Sequence, residues 1–219
     1  MGRYVNPGNR NYARVVRSGI YVDKTGMLSH LNQVMDTEQC WVCVSRPRRF
    51  GKTLAADMAV AYYSRGCASD ELFRGKAIEK DASYGQYLNQ CNVIKWDMAE
   101  AITVYGGPQK ALDCILRDTI RELTKAFPEV LNGSDPESPL AMVLWDVYEV
   151  LDETFIFIID EWDALYRESD DEALQTRYTN LLRGLFKGSS AKEFIRLAYL
   201  TGILPIKRYN SESALNNFR

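Results

Sequence analysis

Nine consecutive residues, Ser45-Arg46-Pro47-Arg48-Arg49-Phe50-Gly51-Lys52-Thr53, carry the densest chemistry in this chain. A Gly-Lys-Thr string that closes a loop and opens a helix suits a phosphate group. The first turn of a helix leaves N–H groups without intrahelical partners and carries the positive end of the helix dipole. Gly51 lets the backbone approach an anion closely. Lys52 is long enough to reach β- and γ-phosphates, and the Thr53 hydroxyl is a Mg²⁺ ligand type. Arg48, Arg49, Phe50 and Leu54 complete the residues expected around the phosphates. The full pattern G-x-x-x-x-G-K-[ST] has Arg46 where its first glycine would fall, so the loop must turn by other means. Pro47 also removes one backbone donor.

A second group lies at the end of Phe155-Ile156-Phe157-Ile158-Ile159-Asp160-Glu161. An aspartate at the end of an apolar strand can hold Mg²⁺, directly or through water. An adjacent glutamate can polarise an attacking water, which assigns Asp160 to the metal and Glu161 to catalysis. The alternative, that the two acids only cap the next helix, is disfavoured because both halves of a triphosphate site occur in the right chain order. Thr201, at the end of Phe194–Leu200, either senses the γ-phosphate or belongs to a strand-end turn that Gly202 supplies. Asp163 either orients Arg48 or Arg49 or caps a helix. Trp162 reads as a buried structural indole.

These residues need a scaffold that ends several strands at one place. Trp41–Val44, Asn92–Trp96, Phe155–Ile159 and Phe194–Leu200 read as buried strands. Leu54–Ser64 reads as a helix. Leu112, Leu116, Ile120, Leu123 and Phe127 keep helical spacing behind Pro108. Ser138-Pro139 reads as the N-cap and first residue of a further helix. Ala173 to Leu185 form another helical stripe, and Arg167–Glu172 reads as a solvated helix start. Strand and helix alternate, which implies an α/β fold with a mostly parallel sheet; together with the two motifs, the expectation is a three-layer α/β P-loop NTPase. Phe194–Leu200 is expected between Trp41–Val44 and Phe155–Ile159. Residues 1–219 are expected to form one domain, with 1–38 leading into it.

The strings resemble a family. Ser45–Thr53 is similar to the phosphate loop of the bacterial and archaeal AAA-ATPase-like proteins, in which R-P-R-R-F-G-K-[ST] replaces the first glycine. Tyr21-Val22-Asp23-Lys24-Thr25, Ile159-Asp160-Glu161-Trp162-Asp163, Leu200–Lys207 and Ala214–Phe218 carry the same likeness along nearly the whole chain. The resemblance implies ATP and Mg²⁺ as cofactors, and ATP over GTP. It implies a further core strand past Arg219, so the sheet is expected to lack a strand beside Trp41–Val44, an edge open to the N-terminal segment or a partner chain. It also implies an effector of the PD-(D/E)XK nuclease type in many members, a domain not expected within these 219 residues. Asp23 and Thr25 look like helix N-caps before Gly26–Val34, and the likeness allows them a place near the nucleotide. Arg183, Arg208 and Arg219 are arginine-finger candidates.

Composition narrows the alternatives. The 27 basic and 29 acidic residues leave a net charge of -2, so no general nucleic-acid coat is present. Nucleic-acid binding is left as a local question for the four cations of residues 46–52. No apolar run approaches a membrane span. Five cysteines at irregular spacing read as reduced thiols of a cytoplasmic protein, and Cys40-Trp-Val-Cys43 as strand residues rather than a metal or redox pair. His30, the single histidine, reads as a surface or half-buried residue. The reading is a Mg²⁺-dependent ATPase of slow turnover. The alternatives are a nucleotide-gated interaction module and a nucleic-acid-associated ATPase.

Overall fold

The computed structural model describes residues 2–135, 137–204 and 218. The elements run α1 (Arg10–Val16), α2 (Gly26–Val34), β1 (Trp41–Ser45), α3 (Lys52–Tyr63) and α4 (Asp70–Phe73). A 3-10 turn (Ala77–Lys80), α5 (Tyr84–Tyr87), β2 (Asn92–Asp97), α6 (Met98–Tyr105), α7 (Pro108–Ala126) and α8 (Pro128–Leu131) follow. The chain continues through α9 (Leu140–Leu151), β3 (Phe155–Asp160), α10 (Ala164–Glu168), α11 (Glu172–Phe186), α12 (Ala191–Phe194) and β4 (Ile195–Gly202).

All four strands are parallel in the order β1-β4-β3-β2, so β4 lies between β1 and β3 as expected. β3 is buried along its whole length, and its alternating side chains separate two cores. Phe155, Phe157 and Ile159 join the core built with α6, α7, α9 and α11. Ile156 and Ile158 join the one built with α2, α3 and Tyr12 of α1. Helices thus cover both faces, which is why β3 reads as an unbroken apolar run. α7 starts at Pro108, as its stripe implied. α9 starts one residue later than expected. Pro139 occupies the N-cap with an extended ψ of 133°, and Ser138 makes no capping bond.

The two sheet edges differ. The N-terminal segment lies along β2, on the side away from β1. Val5 bridges Ile94 in antiparallel sense, the Asn6 N–H donates to Val93 O (2.8 Å), and the Lys95 N–H donates to Tyr4 O (2.8 Å). β1 has no strand on its outer side among the described residues. The Phe218 ring stacks on Trp41 at 6.2 Å and meets Phe186 edge-on at 5.4 Å, against the core that these two residues belong to. Among the described residues, no helix is long and apolar enough to cross a membrane.

Candidate functional site

The register brings the carboxyl ends of the strands together, the position at which open parallel sheets bind ligands. Ser45 pairs with Gly202 and Asp97 with Asp160. The phosphate loop leaves β1 here. The Arg46 N–H donates to Gly202 O (3.0 Å), which ties the loop to β4. The turn that lacks its first glycine is made further on: Arg49 has φ 69° and Gly51 φ 78°, both left-handed. For arginine that conformation is strained, and such strain is characteristic of ligand-holding turns. Gly51 is the N-cap of α3 and makes no side-chain cap, so the first-turn N–H groups of residues 52–54 point out without backbone partners among the described residues.

Lys52 is buried, and its ammonium donates to the carbonyls of Arg46 (3.0 Å) and Pro47 (3.1 Å) of its own loop. Those are weak substitutes for phosphate oxygens, and the ammonium is already aimed into the loop. Thr53 is exposed. Arg46, Arg48, Arg49 and Phe50 are also exposed, and among the described residues the three arginines form no ion pair. Glu161 and Asp163 pair with Arg167 instead, and none of the three loop arginines reaches Asp160 among the described residues. Leu54 packs into the α2–α3 core.

The acids are arranged otherwise. Asp160 is fully buried; its Oδ1 accepts a hydrogen bond from the Thr201 hydroxyl and another from the Glu161 N–H (3.1 Å). Its Oδ2 has no partner. A buried carboxylate oxygen left alone is costly unless something fills the position, and a hydrated divalent cation suits it chemically. Glu161 sits at φ 48°, and its N–H also reaches Thr201 Oγ1 (3.4 Å). Thr201 thus joins the two acids and does more than end a strand.

Glu161 is held by Arg167, whose Nη2 donates to Oε2 at 2.6 Å. Arg167 Nε donates to Asp163 Oδ2 (3.2 Å), which also accepts the N–H groups of Ile203 (3.1 Å) and Leu204 (2.9 Å). Burial works against the charge on Arg167, but the carboxylates of Asp163 and Glu161 outweigh it and hold the guanidinium above its usual range. Asp163 therefore anchors the chain after β4 and Arg167; it orients neither Arg48 nor Arg49 and gives α10 no side-chain cap. Trp162 is buried against Tyr166, as a structural indole should be. Gly202 is required by close approach: a Cβ there would lie 2.6 Å from Trp162 Nε1 and 2.9 Å from Asp163 Oδ1.

Arg167 was hidden in the sequence, where it reads as part of a solvated charged stretch. The one available signal was its i,i+4 spacing from Asp163. Asp23 and Thr25 follow their sequence reading only in part. Thr25 stands at the N-cap of α2 but makes no side-chain capping bond, and Asp23 lies before the cap; their side chains instead receive the N–H groups of Ile78 and Ala77 (3.2 and 2.8 Å). Arg183 lies on α11 with its guanidinium on Asn180 (3.3 Å), whereas Arg208 and Arg219 lie outside the described residues. In the C-x-x-C string, burial pushes the Cys40 thiol up to about 11 and the Cys43 thiol up to about 12, which suits inert strand residues. His30 is exposed.

With that geometry in place, the family is defined. A family model described as Predicted AAA-ATPase matches residues 7–210, and the chain belongs to this AAA-ATPase-like family. Searches of the curated proteins and of the solved structures returned no match.

Proposed function

We propose that this chain binds ATP with Mg²⁺ at the carboxyl end of the sheet and hydrolyses it slowly. Residues 1–219 are read as one NTPase domain, with 1–38 leading into it. The observation that carries the reading is the pairing of two incomplete halves at one sheet end. The loop ammonium of Lys52 rests on its own carbonyls, and the Asp160 Oδ2 is buried without a partner. A nucleoside triphosphate with its metal satisfies both. Preference for ATP over GTP rests on the family and on the lack of a guanine-reading N-K-x-D string.

In this mechanism Lys52 leaves the Arg46 and Pro47 carbonyls for the phosphates, and the free N–H groups at the start of α3 bind the same oxygens. Arg48 and Arg49 add positive charge at the loop. Thr53 and Asp160 would hold Mg²⁺, which supplies charge neutralisation on the phosphates. Glu161 takes the proton of the attacking water, and Thr201 keeps Asp160 and Glu161 in register. In-line attack requires the Glu161 carboxylate to be free of Arg167, so that ion pair supports slow turnover.

The same ion pair favours a second reading, a nucleotide-gated module that signals to an effector domain or partner chain with little hydrolysis. Titration of ATP by calorimetry and a phosphate-release assay decide between them. Lys52→Ala should abolish measurable ATP binding; unchanged binding and turnover would refute the site. Glu161→Gln should retain binding and lower turnover about a hundredfold if Glu161 is the base. A turnover unaffected by Glu161→Gln favours the gated module.

A further inference from the structure

The Tyr21–Thr25 segment is remote in sequence from the phosphate loop, yet it reaches the loop in the fold. A Cβ built on Gly51 would lie 3.5 Å from Lys24 Nζ, with no other group within 4 Å. Gly51 precedes Lys52 and starts α3, so the Lys24 ammonium stands at the solvent side of the loop while the Lys52 ammonium is tucked inside it. Two cations thus approach the same turn, one from an exposed residue and one from a buried residue.

The placement of Lys24 is enforced. Asp23 Oδ1 accepts the Thr25 N–H (2.9 Å) and Oδ2 the Ala77 N–H (2.8 Å), while the buried Thr25 hydroxyl accepts the Ile78 N–H (3.2 Å). Tyr21 is fixed by a hydroxyl contact with Tyr12 (2.7 Å). Residues on both sides of Lys24 are therefore tied to the 3-10 turn and to α1, and only its side chain is free to turn.

Its charge is also free. Although burial opposes ionisation of Asp23, the Thr25 and Ala77 N–H groups and the charge of Lys76 outweigh it and hold its carboxyl below the usual range. Lys76 lies over the Tyr21 ring at 4.5 Å. The acid next to Lys24 is thus balanced by Lys76, and Lys24 forms no ion pair among the described residues. A lysine with an anchored backbone, an unbalanced charge and a glycine of the phosphate loop beside its ammonium is matched to an anion on that loop.

We infer that Lys24 is a second phosphate-binding cation of the nucleotide site, delivered from outside the loop, with Asp23 and Thr25 as its positioning residues. The inference rests on the ATP-site reading above. It accounts for a Tyr-Val-Asp-Lys-Thr string whose acid and hydroxyl serve the backbone and whose lysine has no structural partner among the described residues.

The test is calorimetric titration of the full chain with Mg·ATP, alongside thermal melting. Lys24→Ala should weaken ATP binding about tenfold, the range for one hydrogen bond to a charged group. Its melting temperature should stay within about 1 °C of wild type, since the side chain is exposed. Lys24→Arg should restore most of the affinity. Lys80→Ala, an exposed lysine at the end of the same 3-10 turn that takes no part in holding Asp23, should bind ATP within about twofold of wild type. A Lys24→Ala affinity within twofold of wild type, while Lys52→Ala loses binding, overturns this inference and leaves the site reading intact. Equal losses in Lys24→Ala and Lys80→Ala overturn it as well, because the effect would then be general surface charge. A folded wild type that does not bind ATP overturns both readings.

Discussion

The two halves of the candidate site meet at one sheet end but are built oppositely. The phosphate loop is exposed, strained at Arg49 and rich in cations that no described carboxylate balances. The acidic half, Asp160 to Arg167, is mostly buried, with Asp160 Oδ2, Trp162 Nε1 and Asp163 Oδ1 left without partners and a tight network among Glu161, Asp163, Arg167 and Thr201. The acidic half is held by side-chain bonds within the fold, whereas the arginines of the loop have no ion-pair partner among the described residues. Substitutions in the acidic half should therefore cost stability, and substitutions in the loop should cost binding alone.

The largest effect on stability is expected at Arg167. Arg167→Met removes the cation from the fully buried Asp163, which keeps only the Ile203 and Leu204 N–H groups. Breaking a buried pair on one side typically costs about 3–5 kcal/mol; with those donors left, a loss near ~3 kcal/mol is expected in urea denaturation. A stability equal to wild type would show that Asp163 does not depend on Arg167. Gly202→Ala comes next. Its Cβ would lie 2.6 Å from Trp162 Nε1 and 2.9 Å from Asp163 Oδ1, so overpacking should cost about 2 kcal/mol, read by the same denaturation.

A smaller effect concerns Asp97, whose side chain accepts the Glu100 N–H as the N-cap of α6. Burial pushes its carboxyl up to about 6, and the charge of Asp160 adds to the rise. A folded value above the unfolded one means the folded chain binds the proton more tightly. Stability should therefore fall as pH rises from about 4 to about 6. Asp97→Asn keeps a capping oxygen and should flatten that slope, gaining about 1–2 kcal/mol at pH 8 without nucleotide or metal. An unaltered pH slope in this variant would refute the assignment.

The smallest stability change is expected in the loop. The double variant Arg48→Gln, Arg49→Gln should melt within about 1 °C of wild type, because both side chains are exposed and unpaired. Its ATP affinity should nevertheless drop severalfold, more at low salt than at high. A large drop in melting temperature would erase the contrast between the two halves.

In the loop half, the strand, the loop and the helix start were readable from residue order, whereas the left-handed turn at Arg49 was not. Gly-Lys-Thr after a β-branched strand specifies a helix N-terminus by local rules alone, and the α3 start at Lys52 follows. The acidic half was legible in Asp160, Glu161 and the buried Trp162, since an apolar run ending in acids is also a local pattern. Arg167 and the roles of Asp163 and Thr201 were not, because each depends on how β4 and α10 approach the end of β3. Alternation of buried strands and amphipathic helices gave the parallel sheet, and the position of β4 within it agrees with its motif. The coverage of the β2 edge by Val5 was not readable, since a single antiparallel bridge has no periodic signal.

The amino-acid order by itself determined which groups are present for phosphate chemistry and which segments become strands and helices. These follow from side-chain periodicity, helix-end chemistry and the short reach of neighbouring residues. Only the tertiary structure decided that Arg167 holds Glu161, that Asp160 keeps one bare oxygen, and that Lys24 stands beside Gly51. Those relations join residues on different elements. Their geometry is set by strand register and by the packing of helices on both faces of the sheet, which no local pattern encodes.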